Sequence, residues 1–163
     1  MLKLVLSVLL CFGAGASCIS QEVPKEVELP FGLIADPALL YVGCGNLHLM
    51  LRDYELALED FRRASVCAEQ CDEDDAELAE SMILFGQAIV YDNLHLRDKT
   101  EQAVTALILC VNNAEEYDSD EDDLESEEIG EELYKMMHRL ALLAPSDDIR
   151  EILISIIDSE WKN

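Results

Sequence analysis

Positive charge is scarce in this chain. The 163 residues include 11 Lys and Arg against 35 Asp and Glu, for a formal net charge of -24 at pH 7. Lys3 is the only charged residue among the first twenty, so the remainder carries about 25 net negative charges. A field of this sign repels nucleic acid and anionic membrane surfaces and attracts basic partners or cations. We therefore expect a basic or amphipathic protein or peptide partner and no nucleic acid.

The N-terminal segment lacks the length of a membrane span. Lys3 is followed by an apolar run over Leu4–Phe12 and by small residues over Gly13–Ser17. A cation, a short apolar run and an Ala-x-Ala exit are typical of a secretory signal peptide, and the run is too short for a permanent anchor. The sequence therefore predicts export to the periplasm or cell envelope. A buried N-terminal helix is the alternative.

Cys18 adds a second interpretation of the same exit. Ala14-Gly15-Ala16 suits a general signal peptidase, whereas Gly15-Ala16-Ser17-Cys18 resembles the bacterial lipobox with Gly15 in place of the usual Leu. In the second case Cys18 is the lipidation site and the membrane is contacted only through the lipid.

Motifs for chemistry are also absent. No nucleophile, metal-binding or phosphate-binding pattern stands out, and His48, His95 and His138 are scattered along the chain. We predict neither an enzyme nor a cofactor. The histidines are expected to be surface or core residues.

The acidic stretch Glu115–Glu132 holds 12 acids in 18 residues. Its Asp118-x-Asp120-x-Asp122 begins like an EF-hand loop, but Asp123 replaces the turn Gly and Ile129 stands where a bidentate Glu is needed. We therefore predict no metal site, and a solvated loop whose like charges repel. Loose association with divalent cations or a basic partner stays open.

The clearest pattern in the sequence lies between Pro37 and Cys71, where two apolar-periodic runs meet at Arg52–Glu55. Large and small residues alternate where two antiparallel helices would pack: Tyr41, Gly45, Ala57, Phe61 and Ala64. This stretch resembles one tetratricopeptide repeat (TPR), with departures at His48 and Glu69. The resemblance implies a helical hairpin that holds a partner.

A second, degenerate hairpin is predicted from Ala76–Leu96 and Thr100–Ala114. Ala103, Leu107 and Cys110 are spaced like the second-helix positions of the first hairpin, but Gly86 precedes Ala103 by 17 residues, whereas Gly45 precedes Ala57 by 12. We interpret the difference as a longer first helix or connection.

The whole chain is predicted to be all-α, with about six helices forming TPR-like hairpins in an antiparallel right-handed solenoid or compact bundle. The predicted segments are a signal peptide (1–18), an extended leader (19–35), TPR-like hairpins (36–114), an acidic loop (115–127) and a C-terminal helical hairpin (128–163).

In the TPR family the first helix of a repeat lines the concave groove. The resemblance therefore implies a partner-binding groove lined by Leu39, Val42, Asn46, Leu49 and Met50. Asn46 stands where peptide-clamping members use an Asn, but Val42 replaces the clamp's cation, which favours an apolar or amphipathic ligand. The alternative is that these residues pack against a neighbouring helix of the same chain.

Four cysteines follow the signal region. Cys44 and Cys67 are the candidate disulfide pair, because the hairpin brings their helices together in an oxidising compartment. Cys67 and Cys71 share a helical face, but no second pair completes a metal site. Cys44 and Cys110 also suit small core positions.

Three classes of function remain. The first is an exported TPR-like adaptor or scaffold that binds a partner protein or peptide at the bacterial cell envelope. The second is a TPR-like chaperone for a secreted or basic client, which would require retention of the first twenty residues. The third, an enzyme, would need a pocket that gathers His and carboxylates.

Overall fold

The computed structural model describes residues 27–29, 33–71, 73–113 and 124–161, and the chain divides into two compact units, residues 1–83 and 84–163. The predicted all-α class with about six helices is confirmed. The helices of the described residues are α1 (Pro37–Met50), α2 (Tyr54–Ala68), α3 (Glu73–Asn93), α4 (Arg97–Asn113), α5 (Leu124–Ala141) and α6 (Asp147–Trp161).

A short antiparallel strand pair precedes the helices. Strand β1 (Val27–Leu29) pairs with β2 (Leu33–Ala35), so that Val27 lies opposite Ala35 and Leu29 opposite Leu33. Both strands fall within the segment predicted as an extended leader. The hairpin lies just before the start of the first helix.

Helix α1 begins where the sequence predicts, at Asp36 and Pro37. One carboxylate oxygen of Asp36 accepts hydrogen bonds from the backbone N-H of Ala38 at 2.7 Å and of Leu39 at 3.2 Å. Pro37 occupies the first turn, where no N-H donor is needed. This cap satisfies two of the donors that the start of a helix leaves open.

Helices α1 and α2 pack extensively, with a very close approach at Gly45. A Cβ added to Gly45 would lie 2.6 Å from Cε1 and 2.7 Å from Cδ1 of the buried Phe61 ring. Ala57 and Ala64 flank Phe61 on α2 and are fully buried. The small residues of this hairpin therefore make room for one aromatic side chain at the helix contact.

The turn after α1 recurs after α3 with the same hydrogen bonds. After α1, backbone N-H groups donate to carbonyls from Leu51 to Leu47, from Arg52 to Leu49 and from Asp53 to His48. After α3, the equivalent hydrogen bonds run from Leu94 to Val90, from His95 to Asp92 and from Leu96 to Tyr91. Arg52 and His95 both have positive φ, 62° and 57°. The two turns are thus one geometry repeated at an offset of 43 residues, Leu51 to Leu94.

Burial follows the same offset, which corrects the predicted alignment of the second hairpin. Ala57, Phe61 and Ala64 correspond to Thr100, Val104 and Leu107, and all six are buried. The predicted equivalents Ala103, Leu107 and Cys110 are therefore out of register by three residues. Gly86 likewise corresponds to Gly43 and not to Gly45. With this register no insertion is needed.

The third helix pair shares part of the pattern. Helices α5 and α6 contact each other, and Leu133, Met137 and Leu140 are buried along α5. The backbone N-H of Leu142 donates to His138 and that of Leu143 to Leu140, which repeats the first two hydrogen bonds of the other turns. Beyond Leu143 the connection differs from those turns and includes Pro145.

Helix α5 begins earlier than predicted, at Leu124, inside the segment 115–127 assigned to a loop. Glu125, Glu127 and Glu128 stand near its N-terminal end, where negative charge is favourable and Glu is a good helix former. The density of charge alone was therefore a poor guide to this boundary. The Asp118–Asp123 part of the acidic stretch lies outside the described residues.

Candidate interaction surfaces

The residues predicted to line a groove on α1 are mostly interior. Val42 and Leu49 are fully buried and Asn46 is almost so, which corrects the prediction that they line an open groove. Leu39 packs against a buried cluster of Ala38, Cys67 and Ala79. Since Ala79 belongs to α3, part of the α1 face is covered by the chain's own helix.

Asn46 nevertheless keeps an unusual environment. Its side-chain oxygen is buried without a hydrogen-bond partner. A buried acceptor that makes no bond is unfavourable by about 1–3 kcal/mol.

Met50 is the exception among the predicted groove residues, because 57% of its surface is exposed. It ends α1 and is followed by Leu51, which is 64% exposed, and Leu56 on the first turn of α2 is also exposed. The apolar surface predicted on the face of α1 therefore lies instead at the end of its hairpin.

Exposed leucines recur in the other two turns. Leu94 follows α3 and is 39% exposed, and Leu142 follows α5 and is 62% exposed. These residues occupy the position of Leu51 in the repeated turn. We refer to Leu51, Leu94 and Leu142 as the turn leucines. Sequence reasoning missed them, although Leu between two helices, where polar residues are usual, was a visible signal.

Two polar side chains of α3 hold the α5–α6 turn. Asn93 donates its side-chain N-H to the carbonyl of Leu143 at 3.0 Å, and the buried Asp92 accepts the backbone N-H of Ser146 at 2.8 Å. The turns that carry Leu94 and Leu142 are therefore adjacent within the second unit. Asp92 also satisfies a backbone donor just before α6, next to the positive end of that helix.

A second exposed surface lies along α4. Asp98, Glu101, Gln102, Thr105, Ala106 and Leu109 line a shallow depression of about 510 Å³. Leu109 is 57% exposed, and its neighbour Ile108 is also exposed. We refer to these six lining residues as the α4 face.

His48 contacts a buried acid. Its Nδ1 lies 2.7 Å from Oδ2 of Asp60, which links α1 to α2. Burial raises the pKa of Asp60, and the hydrogen bond from His48 opposes that shift. His48 is therefore neither a simple surface residue nor an apolar core residue: it partners Asp60.

The cysteines do not form the predicted bridge. Cys67 carries a free thiol in a buried site, so the Cys44–Cys67 disulfide is absent from this structure. Burial, together with the charge of Asp36, raises the pKa of the Cys67 thiol. The thiol of Cys71 donates to Oδ2 of Asp36 at 3.0 Å and links the segment that follows α2 to the cap of α1.

A second His–Asp contact joins α5 to α6. Oδ1 of Asp158 accepts the Tyr134 hydroxyl at 2.8 Å and lies 3.2 Å from Nε2 of His138. The Tyr134 and His138 rings are in contact, with centroids 4.5 Å apart. These groups fasten one helix to the next.

Within the described ranges, no cluster of three or more His, Cys, Asp or Glu could hold a metal ion. No helix in these ranges is long and apolar enough to cross a bilayer. The predicted signal peptide and Cys18 lie outside those ranges.

Comparisons with protein-family models, curated proteins and solved structures found no match to the chain.

Proposed function

We propose that this protein is an exported interaction module, a TPR-like adaptor or scaffold of the bacterial cell envelope, and that the turn leucines contact its partner protein. The single observation that carries the proposal is the recurrence of exposed Leu at one position of a repeated turn. We therefore assign partner binding to the turn leucines and not to the predicted groove on α1. Most side chains of that groove are buried within the protein.

Exposure of a large apolar side chain to water is unfavourable. Leaving a Leu side chain in water instead of burying it forgoes about 1.5–3 kcal/mol. An isolated exposed Leu is common on protein surfaces and needs no explanation. Exposed Leu at three equivalent positions, with Met50 and Leu96 also exposed beside two of them, favours an apolar contact with a partner at the turns of each unit.

The charge of the chain restricts the partner's chemistry. A net charge of -24 repels acidic proteins and attracts basic ones, and it accelerates encounters with partners of opposite charge. We therefore propose a basic or amphipathic partner whose apolar side chains meet the turn leucines. Lys3, the apolar run Leu4–Phe12 and the small residues up to Ser17 support the proposed export.

The test replaces all three turn leucines by Glu and compares the variant with a matched control. The control carries Val66→Glu, Leu78→Glu and Ile152→Glu, which add the same three charges at exposed apolar positions within helices. Tagged wild type and both variants are used to recover partners from the envelope fraction of the source cells. Quantitative mass spectrometry measures the recovered proteins, and circular dichroism checks that each variant is folded.

We expect a specific protein to be recovered with wild type and control and to be depleted at least roughly tenfold with the turn variant, since the buried contact of even one Leu corresponds to about that factor. The purified partner should then bind with the same ranking. Equal recovery with both variants would show that the turn leucines are ordinary surface residues.

A further inference from the structure

The α4 face differs from the turn leucines in that it combines acidic and apolar groups on one helix. Thr100, Ala103, Val104 and Leu107 form the buried stripe of α4, and the α4 face lies on other sides of the helix. Its acids, Asp98 and Glu101, lie near the N-terminal end, and Ala106 and Leu109 lie about two turns further on.

The acids of this face remain accessible to a cation. Glu101 accepts a hydrogen bond from Arg97 at 2.9 Å, but the Arg97 side chain is 87% exposed. An exposed i,i+4 ion pair of this kind contributes little to stability because solvent screens it, so a partner's Lys or Arg can replace Arg97 at little cost. Asp98 is exposed as well.

The order of groups along α4 specifies the ligand. Asp98 and Leu109 are 11 residues apart, which is about 16 Å along a helix. A ligand must therefore present cationic groups at one end and an apolar side chain about 16 Å away, a spacing that one helical segment of three turns provides. The net charge of -24 disfavours a second copy of the chain in this position.

We infer that the α4 face is a docking site for a cationic amphipathic helical segment, whose Lys or Arg side chains meet Asp98 and Glu101 and whose apolar side chain covers Leu109. The α4 face shares no residue with the turn leucines and takes a ligand of defined chemistry, so its role is additional to theirs and does not depend on it.

The experiment uses the full chain and a synthetic 18-residue helical peptide with Lys on one face and Leu on the other, labelled for fluorescence anisotropy. The key variant is Leu109→Glu. The added negative charge of this variant strengthens any non-specific attraction of the cationic peptide. Specific docking on the α4 face is weakened instead, because the apolar contact with Leu109 is lost. Val66→Glu adds the same charge at an exposed site of α2 and serves as the matched control.

We expect the Leu109→Glu variant to bind the peptide at least roughly tenfold more weakly than the Val66→Glu variant. The double variant Asp98→Asn, Glu101→Gln should also weaken binding and flatten its salt dependence, because the charge-assisted contacts are those that salt screens. Circular dichroism establishes that each variant keeps its helical content.

Two results would overturn the inference. Equal or tighter binding by the Leu109→Glu variant would mean that the peptide follows net charge alone. Weakening by Leu142→Glu but not by Leu109→Glu would assign the peptide to the turn leucines, which would reject the α4 face while supporting the other surface. Conversely, loss of binding only at Leu109 leaves the turn leucines to be judged by their own test.

Discussion

Asp60 shows at the scale of single residues how packing and charge oppose each other in this protein. It is buried on α2, and its carboxylate is held by His48, with Arg63 at 3.9 Å from the other oxygen. Desolvation disfavours the charged form of an acid, whereas the hydrogen bond from His48 and the positive charge of Arg63 favour it. The pKa of Asp60 is raised, so desolvation is the larger effect.

This balance predicts a measurable pH dependence of stability. Because the pKa of Asp60 is raised above its ordinary value of 3.8, the folded protein holds this proton more tightly than the unfolded chain does. The stability that Asp60 contributes is fully present below pH 3.8 and is lost as the pH rises through the raised pKa that Asp60 has in the folded protein. We expect the free energy of unfolding of wild type, relative to that of Asp60→Asn, to fall with rising pH in this window, as measured by urea denaturation.

The adjacent acid supplies a control of opposite sign. A hydrogen bond from Arg62 is the main cause that lowers the pKa of Glu59 to about 2. The stability that Glu59 contributes is present above pH 4.5 and is lost as the pH falls, although the exposure of this ion pair keeps the contribution small. Glu59→Gln removes the same single charge as Asp60→Asn, so identical pH profiles of the two variants would contradict a specific role for burial at Asp60.

Single residues also mark where sequence reasoning succeeds and where it stops. The close approach at Gly45 was predictable, because a glycine within an apolar-periodic helix needs a packing reason. The burial of Val42 and Leu49 was not, because an apolar stripe looks the same whether a partner or the chain itself covers it. The His48–Asp60 contact was missed because its two members lie on different helices.

At the scale of elements, the repeated turn is the feature that organises the two hairpins. Arg52 and His95 each hold a left-handed backbone conformation, which costs a residue with a Cβ about 1–2 kcal/mol and costs glycine little. The same strain at equivalent positions indicates that the turn geometry is imposed by the helices on either side.

The prediction is that Arg52→Gly and His95→Gly each raise stability, by roughly 0.5–1 kcal/mol, since relief of the strain exceeds the added entropy of the unfolded chain. Urea denaturation of each variant measures this. Leu51→Gly is the control, because Leu51 has an ordinary φ of -78° and glycine there should destabilise. A gain at Leu51, or opposite effects at the two strained positions, would contradict a shared turn.

The same turn explains how far the elements could be predicted from the sequence. Helical periodicity gave the number of helices and most of their boundaries, because each apolar stripe packs against another element. Aligning the two hairpins by glycine failed, because Gly86 corresponds to Gly43. The register is carried instead by backbone hydrogen bonds and by Thr100 and Val104, which are not the residue types of the first hairpin.

At the scale of the whole molecule, the net charge and the predicted export agree with the proposed interaction module. The net charge of -24 repels nucleic acid, so in the proposed role nucleic acid does not compete with a protein partner. The proposed interaction surfaces rely on a few apolar side chains for contact and on the overall charge for encounter. Whether the chain works in that compartment depends on its first eighteen residues.

Intact mass of the protein purified from a bacterial host tests export directly. We expect a mature chain that begins at Ser17, after the Ala14-Gly15-Ala16 exit, or at Cys18 with the added mass of lipid. Cys18→Ser separates the two, since it removes the lipid and leaves the first cleavage unaffected. Ala16→Arg should block that first cleavage, because the peptidase site accepts only small residues. A wild-type chain that retains Met1–Ala16 would contradict export and favour a chaperone for a basic client in the cytosol.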